Sequence, residues 1–347
     1  VANVGIWPYE PGRGNNLERI TIIGTSPIGV SIGLALKSAN LKNTEIFGTS
    51  GDRQALSIAE KRGAYDKTSR LLREAVEGAQ LIILDLPFAE MREMLEAIGP
   101  IVDDGCVITD TCPTKVKVKE WAEAFLPKGV SFVGGHPLVK REHNMMDDAT
   151  ATLFTGIEYC VMPGVTADEQ SVKTVIGLIE MMNARPIFLD PHEHDSYMTA
   201  MDLLPAVMSS AFTSTMSNSP SWREMHKLTG KNFAQISGLS ALDPLDNDTA
   251  CIANSESLVH WIDQFINELY EFRTKIKDGS EDLVTAFIAS WEDHGKWEAG
   301  AVGKDDDSNR LPTSRESMAS AFFGERLSKR YSIISGGDKR DSWIYKK

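Results

Sequence analysis

Little in this chain points to disulfides, membranes, metals or nucleic acid. Its 347 residues hold four cysteines, Cys106, Cys112, Cys160 and Cys251, at spacings that fit neither a disulfide framework nor a metal clip. No run approaches the roughly 18 uninterrupted apolar residues of a membrane span, and Val1 to Asn16 has no apolar signal core. A cytoplasmic protein without membrane partners is expected. Basic residues are in deficit, 36 Lys and Arg against 49 Asp and Glu, for a formal charge of −13 that argues against nucleic acid as a partner. There is no internal repeat, no Gly-x-Ser-x-Gly elbow and no Walker lysine. In His192-Glu193-His194-Asp195, residues two apart on a helix start point to different sides, so no metal is expected there. Asp190 and Asp195 read instead as caps of that helix.

What is present is a globular composition, 42% hydrophobic and 24% charged, on a chain long enough for two domains. The organising stretch is Arg19 to Ser38. Ile20, Ile22 and Ile23 read as a short buried parallel strand, Gly24 as its exit turn, and Pro27 to Ser38 as a helix with proline in its first turn. A helix N-terminus after such a turn offers N–H groups and partial positive charge to a dinucleotide pyrophosphate. In the G-x-G-x-x-G pattern the first and third places are Gly24 and Gly29, and Ser26 stands at the second. By itself the pattern also fits any tight strand-to-helix turn. Gly24, Ser26, Ile28 and Gly29 are the expected cofactor contacts here.

Thr44 to Gly48 makes a second strand and Asp52 to Arg62 a helix, completing a β-α-β unit. At the end of that second strand an acidic residue selects NAD. Here Thr49 and Ser50 are followed by Arg53, which suits the 2′-phosphate of NADP over NAD, although Arg53 also reads as a solvated helix start. Ala79 to Pro87 and Gly105 to Asp110 are further apolar strands, with helix-spaced Met91, Met94, Leu95 and Ile98 between them. The alternation predicts a doubly wound parallel sheet, whose ligands sit beyond the carboxyl ends of the strands. Leu86, Pro87 and Thr111 are therefore expected at the cofactor, and His136 where nicotinamide and substrate meet. Past residue 190 only helix-period segments appear, at Glu193 to Met216, Pro220 to Thr229 and Ser257 to Lys277. A helical layer too thin to bury itself predicts a homodimer. The expected organisation is an arm over 1–18, carrying Trp7 and Tyr9, a nucleotide domain over 19–190, a helical domain over 191–296 and a basic tail over 297–347.

The order of these motifs resembles the prephenate/arogenate dehydrogenase family over residues 19 to about 277. The most specific stretch runs from Ile108-Thr-Asp110 through Thr114-Lys115 to Gly134-Gly-His136-Pro, with Glu142 six places after the histidine. The resemblance implies a Rossmann-type domain followed by an all-helical dimerisation domain. It also implies His136 on the ring hydroxyl of a small-molecule substrate while hydride leaves for a nicotinamide and carbon dioxide is lost. Near its ordinary pKa of about 6.5, a neutral histidine can accept that proton; the other reading is a packed turn histidine.

Three positions depart from the family. Its serine beside the histidine is Pro113, its Ser-His-Leu-Pro-His stretch is Asp202-Leu-Leu-Pro-Ala206, and its carboxylate-gripping arginine is Cys251. Lys140 and Arg141, beside Glu142, are candidate replacements in a substrate shell, as are Arg223 and Lys231. The expected activity is oxidative decarboxylation of a cyclohexadienyl acid toward an aromatic product. The alternatives are a dehydrogenase for a related hydroxy acid in specialised metabolism and a catalytically silent nucleotide-binding dimer.

Overall fold

The computed structural model describes residues 18–139 and 146–302. The expected arm before Glu18, the residues Lys140, Arg141 and Glu142, and the tail beyond residue 302 lie outside the described residues. Two compact units are formed, Val1–Ile262 and Asp263–Lys347.

The first unit opens with strand β1 (Glu18–Ile23), helix α1 (Pro27–Ser38), β2 (Thr44–Thr49), α2 (Arg53–Lys61), β3 (Lys67–Thr68), α3 (Leu72–Val76), β4 (Leu81–Leu84) and α4 (Phe88–Ile98). It continues with β5 (Val107–Asp110), α5 (Val116–Phe125), β6 (Ser131–Pro137), β7 (Glu158–Pro163), α6 (Glu169–Met181) and β8 (Arg185–Phe188). The strands form one sheet in the order β3-β2-β1-β4-β5-β6-β7-β8. β1 pairs in parallel with both β2 and β4, Ile20 lying opposite Ile46 and Leu81. The order reverses between β1 and β4, and this opens a crevice at their carboxyl ends.

The apolar strands bury both faces, which is why helices cover both. Ile20, Ile22, Leu81 and Ile83 pack into one cluster with Val30 and Leu36 of α1, and Ile23, Ile82, Leu84 and Ile108 into another with Met91 and Leu95 of α4. This is the period-two alternation of a strand seen on both sides at once. One departure from the expected parallel sheet is β7, which runs antiparallel to β6 with His136 opposite Cys160.

After β8 every regular element among the described residues is helical: α7 (Pro191–Met198), α8 (Leu204–Ser217), α9 (Trp222–Met225), α10 (Lys231–Ser237), α11 (Pro244–Ala253), α12 (Ser255–Asp278) and α13 (Asp282–Glu298). The helix expected over Glu193 to Met216 is interrupted by a π-turn at Thr199–Leu203. Pro205 at the start of α8 explains the widening, since it supplies no N–H to the turn before it. The last strand ends at Phe188, and the compact units divide later, within α12. Helices α7 to α11 belong with the sheet because Asp195 binds the start of α5, and Ala250 and Leu203 join the α4 side of the core. In the second unit Phe272 and Phe287 meet with ring centroids 5.4 Å apart, while Leu269, Tyr270, Ile276 and Trp297 stay exposed. No helix among the described residues is long and apolar enough to cross a membrane.

Candidate functional site

The turn after β1 is closed by a residue from β4's end. Gly24 adopts φ +121°, and a Cβ there would sit 1.8 Å from the Asp85 carbonyl oxygen. Ser26 caps α1, its Oγ accepting from the Ile28 N–H at 3.1 Å. The Asp85 carboxylate accepts four bonds: from Ser26 N at 3.1 Å, Ser26 Oγ at 2.9 Å, Gly29 N at 3.0 Å and Thr111 Oγ1 at 3.0 Å. Pro27 has no N–H. Every donor of this first turn is thus absent or engaged within the protein. Burial pushes the Asp85 pKa up, opposed by the hydroxyls of Ser26 and Thr111 and by the two N–H groups. Gly24, Ser26, Ile28, Gly29 and Thr111 lie together around the carboxyl group of Asp85, a residue with no role expected from the sequence. Its signal was present: Asp85 is the one charge in Leu81-Ile-Ile-Leu-Asp-Leu-Pro87, and lone charges are seldom buried in such runs.

At the end of β2, Ser50 Oγ accepts from Thr25 Oγ1 at 3.0 Å and from Asp52 N at 3.1 Å. Asp52 caps α2 through Gln54 N and Ala55 N, and Arg53 is the exposed first residue of that helix. Leu86 and Pro87 lead from β4 into α4, where Pro87 is the N-cap. These strand ends fit the ribose and nicotinamide segments of a dinucleotide. At the turn that would face the pyrophosphate, the N–H groups of Ser26 and Gly29 are held by Asp85.

His136 lies near the end of β6, 9% exposed, beside a buried ion pair. Lys115 Nζ bonds the Asp110 carboxylate and donates to Gly135 O at 2.9 Å, while Asp110 also accepts from Gly135 N at 3.0 Å. These bonds clip the end of β5 to β6 and fix the backbone that carries His136. Its Nδ1 is 2.9 Å from His194 Nε2, and His194 Nδ1 is 2.9 Å from Asp195 Oδ1. Asp195 accepts further bonds from Lys115 N at 2.7 Å and Val116 N at 2.9 Å.

This chain of bonds sets the tautomers. Asp195 is an acceptor, so His194 carries its proton on Nδ1 and presents a lone pair at Nε2; His136 therefore carries its proton on Nδ1 and keeps a lone pair at Nε2. Burial, His194 and Lys115 together push the His136 pKa well below 6.5. From sequence alone this histidine is expected near its ordinary value; in a buried site the charged ring loses its hydration and meets a cation. Asp195 was expected as a cap, and the structure corrects this: Asp190 caps α7 through His192 N and Glu193 N, whereas Asp195 binds α5. His194 was missed as a site residue because its partner is 58 positions away. The local signal was a histidine next to an aspartate, His194-Asp195, near a helix start.

Helices α8 and α11 border an open groove of ≈ 370 Å³ lined by Ala206, Val207, Ser210, Ala211, Ser214, Asn247 and Cys251. It joins the two positions where the resemblance calls for a histidine and an arginine, and no charged side chain among the described residues lines it. Arg223 in α9 and Lys231 in α10 do not line it.

Residues 32–188 match the family model described as the nucleotide-binding domain of prephenate dehydrogenase. Residues 190–289 match the one described as its dimerization domain. The prephenate dehydrogenase of Bacillus subtilis (strain 168) is 25% identical over 280 residues, 80% of this chain and 75% of that protein. That of Lactococcus lactis subsp. cremoris (strain MG1363) is 29% identical over 276 residues, 78% of this chain and 75% of that protein. The fold is similar, with a TM-score of 0.73, to prephenate dehydrogenase from A. aeolicus in complex with hydroxyphenyl propionate and NAD+, at 21% identity over 81% of this chain and 98% of that one.

Proposed function

The chain belongs to the prephenate dehydrogenase family, and from that premise we propose that it is an NADP-dependent dehydrogenase that oxidatively decarboxylates a cyclohexadienyl acid. The observation that carries this reading is the buried chain His136–His194–Asp195, which leaves a neutral imidazole with a lone pair at Nε2. A bound nicotinamide dinucleotide would supply the hydride acceptor, the chemistry that belongs to the cofactor.

His136 Nε2 accepts the proton of the substrate hydroxyl as that carbon becomes a carbonyl-like centre. Positive charge on His136 is costly beside Lys115. It is relieved when the Nδ1 proton moves to His194 Nε2, because the cation then lies on His194, next to the Asp195 carboxylate. His194 and Asp195 are positioning residues in this scheme. Loss of carbon dioxide completes an aromatic ring and leaves a phenol-type product, a step toward tyrosine-type biosynthesis.

The substrate shell supports an altered acid. Among the described residues, the groove lined by Ala206 and Cys251 supplies no cation to grip a second carboxylate, and a lost charge-assisted partner forfeits about 1.5–3 kcal/mol. Ser50 and Arg53 support NADP. The exposed apolar side chains Leu269, Tyr270 and Ile276 on α12, with the match to a dimerization domain, support a homodimer. Steady-state assays with prephenate and with arogenate, each against NADP and NAD, test the reading. Turnover of one of these acids with NADP, at a raised KM, is expected; no turnover of either with either cofactor would contradict prephenate and arogenate as substrates and favour a related hydroxy acid or a silent nucleotide-binding dimer.

A further inference from the structure

We propose that Asp85 is an internal anion that holds the N-terminus of α1 against the cofactor's pyrophosphate, so that a dinucleotide binds only when this carboxylate releases Ser26 and Gly29. The inference rests on the dinucleotide reading of the sheet domain. Three features of the turn carry it. The donors a pyrophosphate would use are already committed: Ser26 N and Gly29 N to Asp85, Ile28 N to Ser26 Oγ, while Pro27 has none. The glycines admit the carboxylate rather than leaving a gap, since a Cβ on Gly29 would lie 2.2 Å from Asp85 Oδ2 and one on Gly24 would strike the Asp85 carbonyl. Two anions at one helix end also repel each other, more strongly because Asp85 is only 5% exposed.

The same geometry makes binding sensitive to protonation. A neutral Asp85 loses its attraction to the helix end and its repulsion of phosphate, so affinity rises as pH falls through its titration, which burial moves upward. The other titratable groups facing it are Tyr65, whose hydroxyl donates to Gly24 O at 3.4 Å, and Tyr159 of β7. Burial raises both phenols above their ordinary range, so neither changes charge in the acid window.

Calorimetric titration of the full chain with NADPH, ADP and adenosine, at about pH 5.5 and about pH 8, separates the possibilities. Asp85→Asn keeps the shape and removes the charge; Asp85→Ser removes the carboxylate in a smaller side chain. At the higher pH either variant is expected to bind NADPH and ADP about tenfold or more tightly than the parent, with adenosine unchanged. The parent alone is expected to bind ADP more tightly at the lower pH. Equal affinities for parent and variants, or a parent indifferent to pH, would overturn the inference and leave Asp85 a structural clip. Absence of NADPH, ADP and adenosine binding in every protein would instead remove the dinucleotide reading, and the inference with it.

Discussion

His136 Nδ1 lies 2.9 Å from His194 Nε2, inside the protein and 58 residues away in sequence. That contact makes His194 the residue that sets which nitrogen of His136 is free. Replacing His194 by Phe should lower kcat about 10- to 100-fold with little change in KM. His194→Gln, whose amide oxygen can still accept from Nδ1, should recover part of the loss. Loss of His194 also removes one cause of the depressed His136 pKa, so the acid limb of the pH–rate profile should move upward. An unmoved limb and a raised KM would mean that His194 only packs.

The Asp110–Lys115 pair is fully buried and clips the end of β5 to β6. Lys115→Met strands a carboxylate in the interior and should destabilise the protein by about 3–5 kcal/mol in chemical denaturation. A loss below about 1 kcal/mol would show that the pair is solvated in solution.

The groove between α8 and α11 has room for a long side chain. Cys251→Arg should lower KM for prephenate by about tenfold or more, through a charge-assisted carboxylate bond. An unchanged KM would place the substrate carboxylate elsewhere.

NADP should bind at least about tenfold more tightly than NAD, a gap of about 1.4 kcal/mol. Ser50→Asp should reverse the order by pairing with a ribose 2′-hydroxyl and repelling a 2′-phosphate. Fluorescence titration with both reduced cofactors measures this, and equal parental affinities would remove the basis for the preference.

The strand–turn–helix from Glu18 to Ser38 was legible because a doubly buried strand and a proline-started helix are written in adjacent residues. The short β3 and α3 carry too few residues for a period to show, and α5 and α13 were passed over although they are long enough to have one. The direction of β7 is not a local property at all; the pattern of buried residues reads the same in either sense. His136 stood out through its glycines and its place after a strand. Asp85 and Asp195 did not, because their roles depend on N–H groups 56 to 80 positions distant. A lone aspartate in an apolar run was the one local sign of the first.

The most direct test is the pH dependence of kcat for the parent and for His136→Asn, with the acid and cofactor that the parent turns over. The parent's rate should rise with pH along a limb well below 6.5, since only the neutral ring accepts a proton, and be flat through neutrality. The variant should fold and bind cofactor as the parent does, turn over about 10²–10⁴-fold more slowly, and lose that limb. A variant with the parental rate and the parental profile would contradict the assignment of His136 as the base.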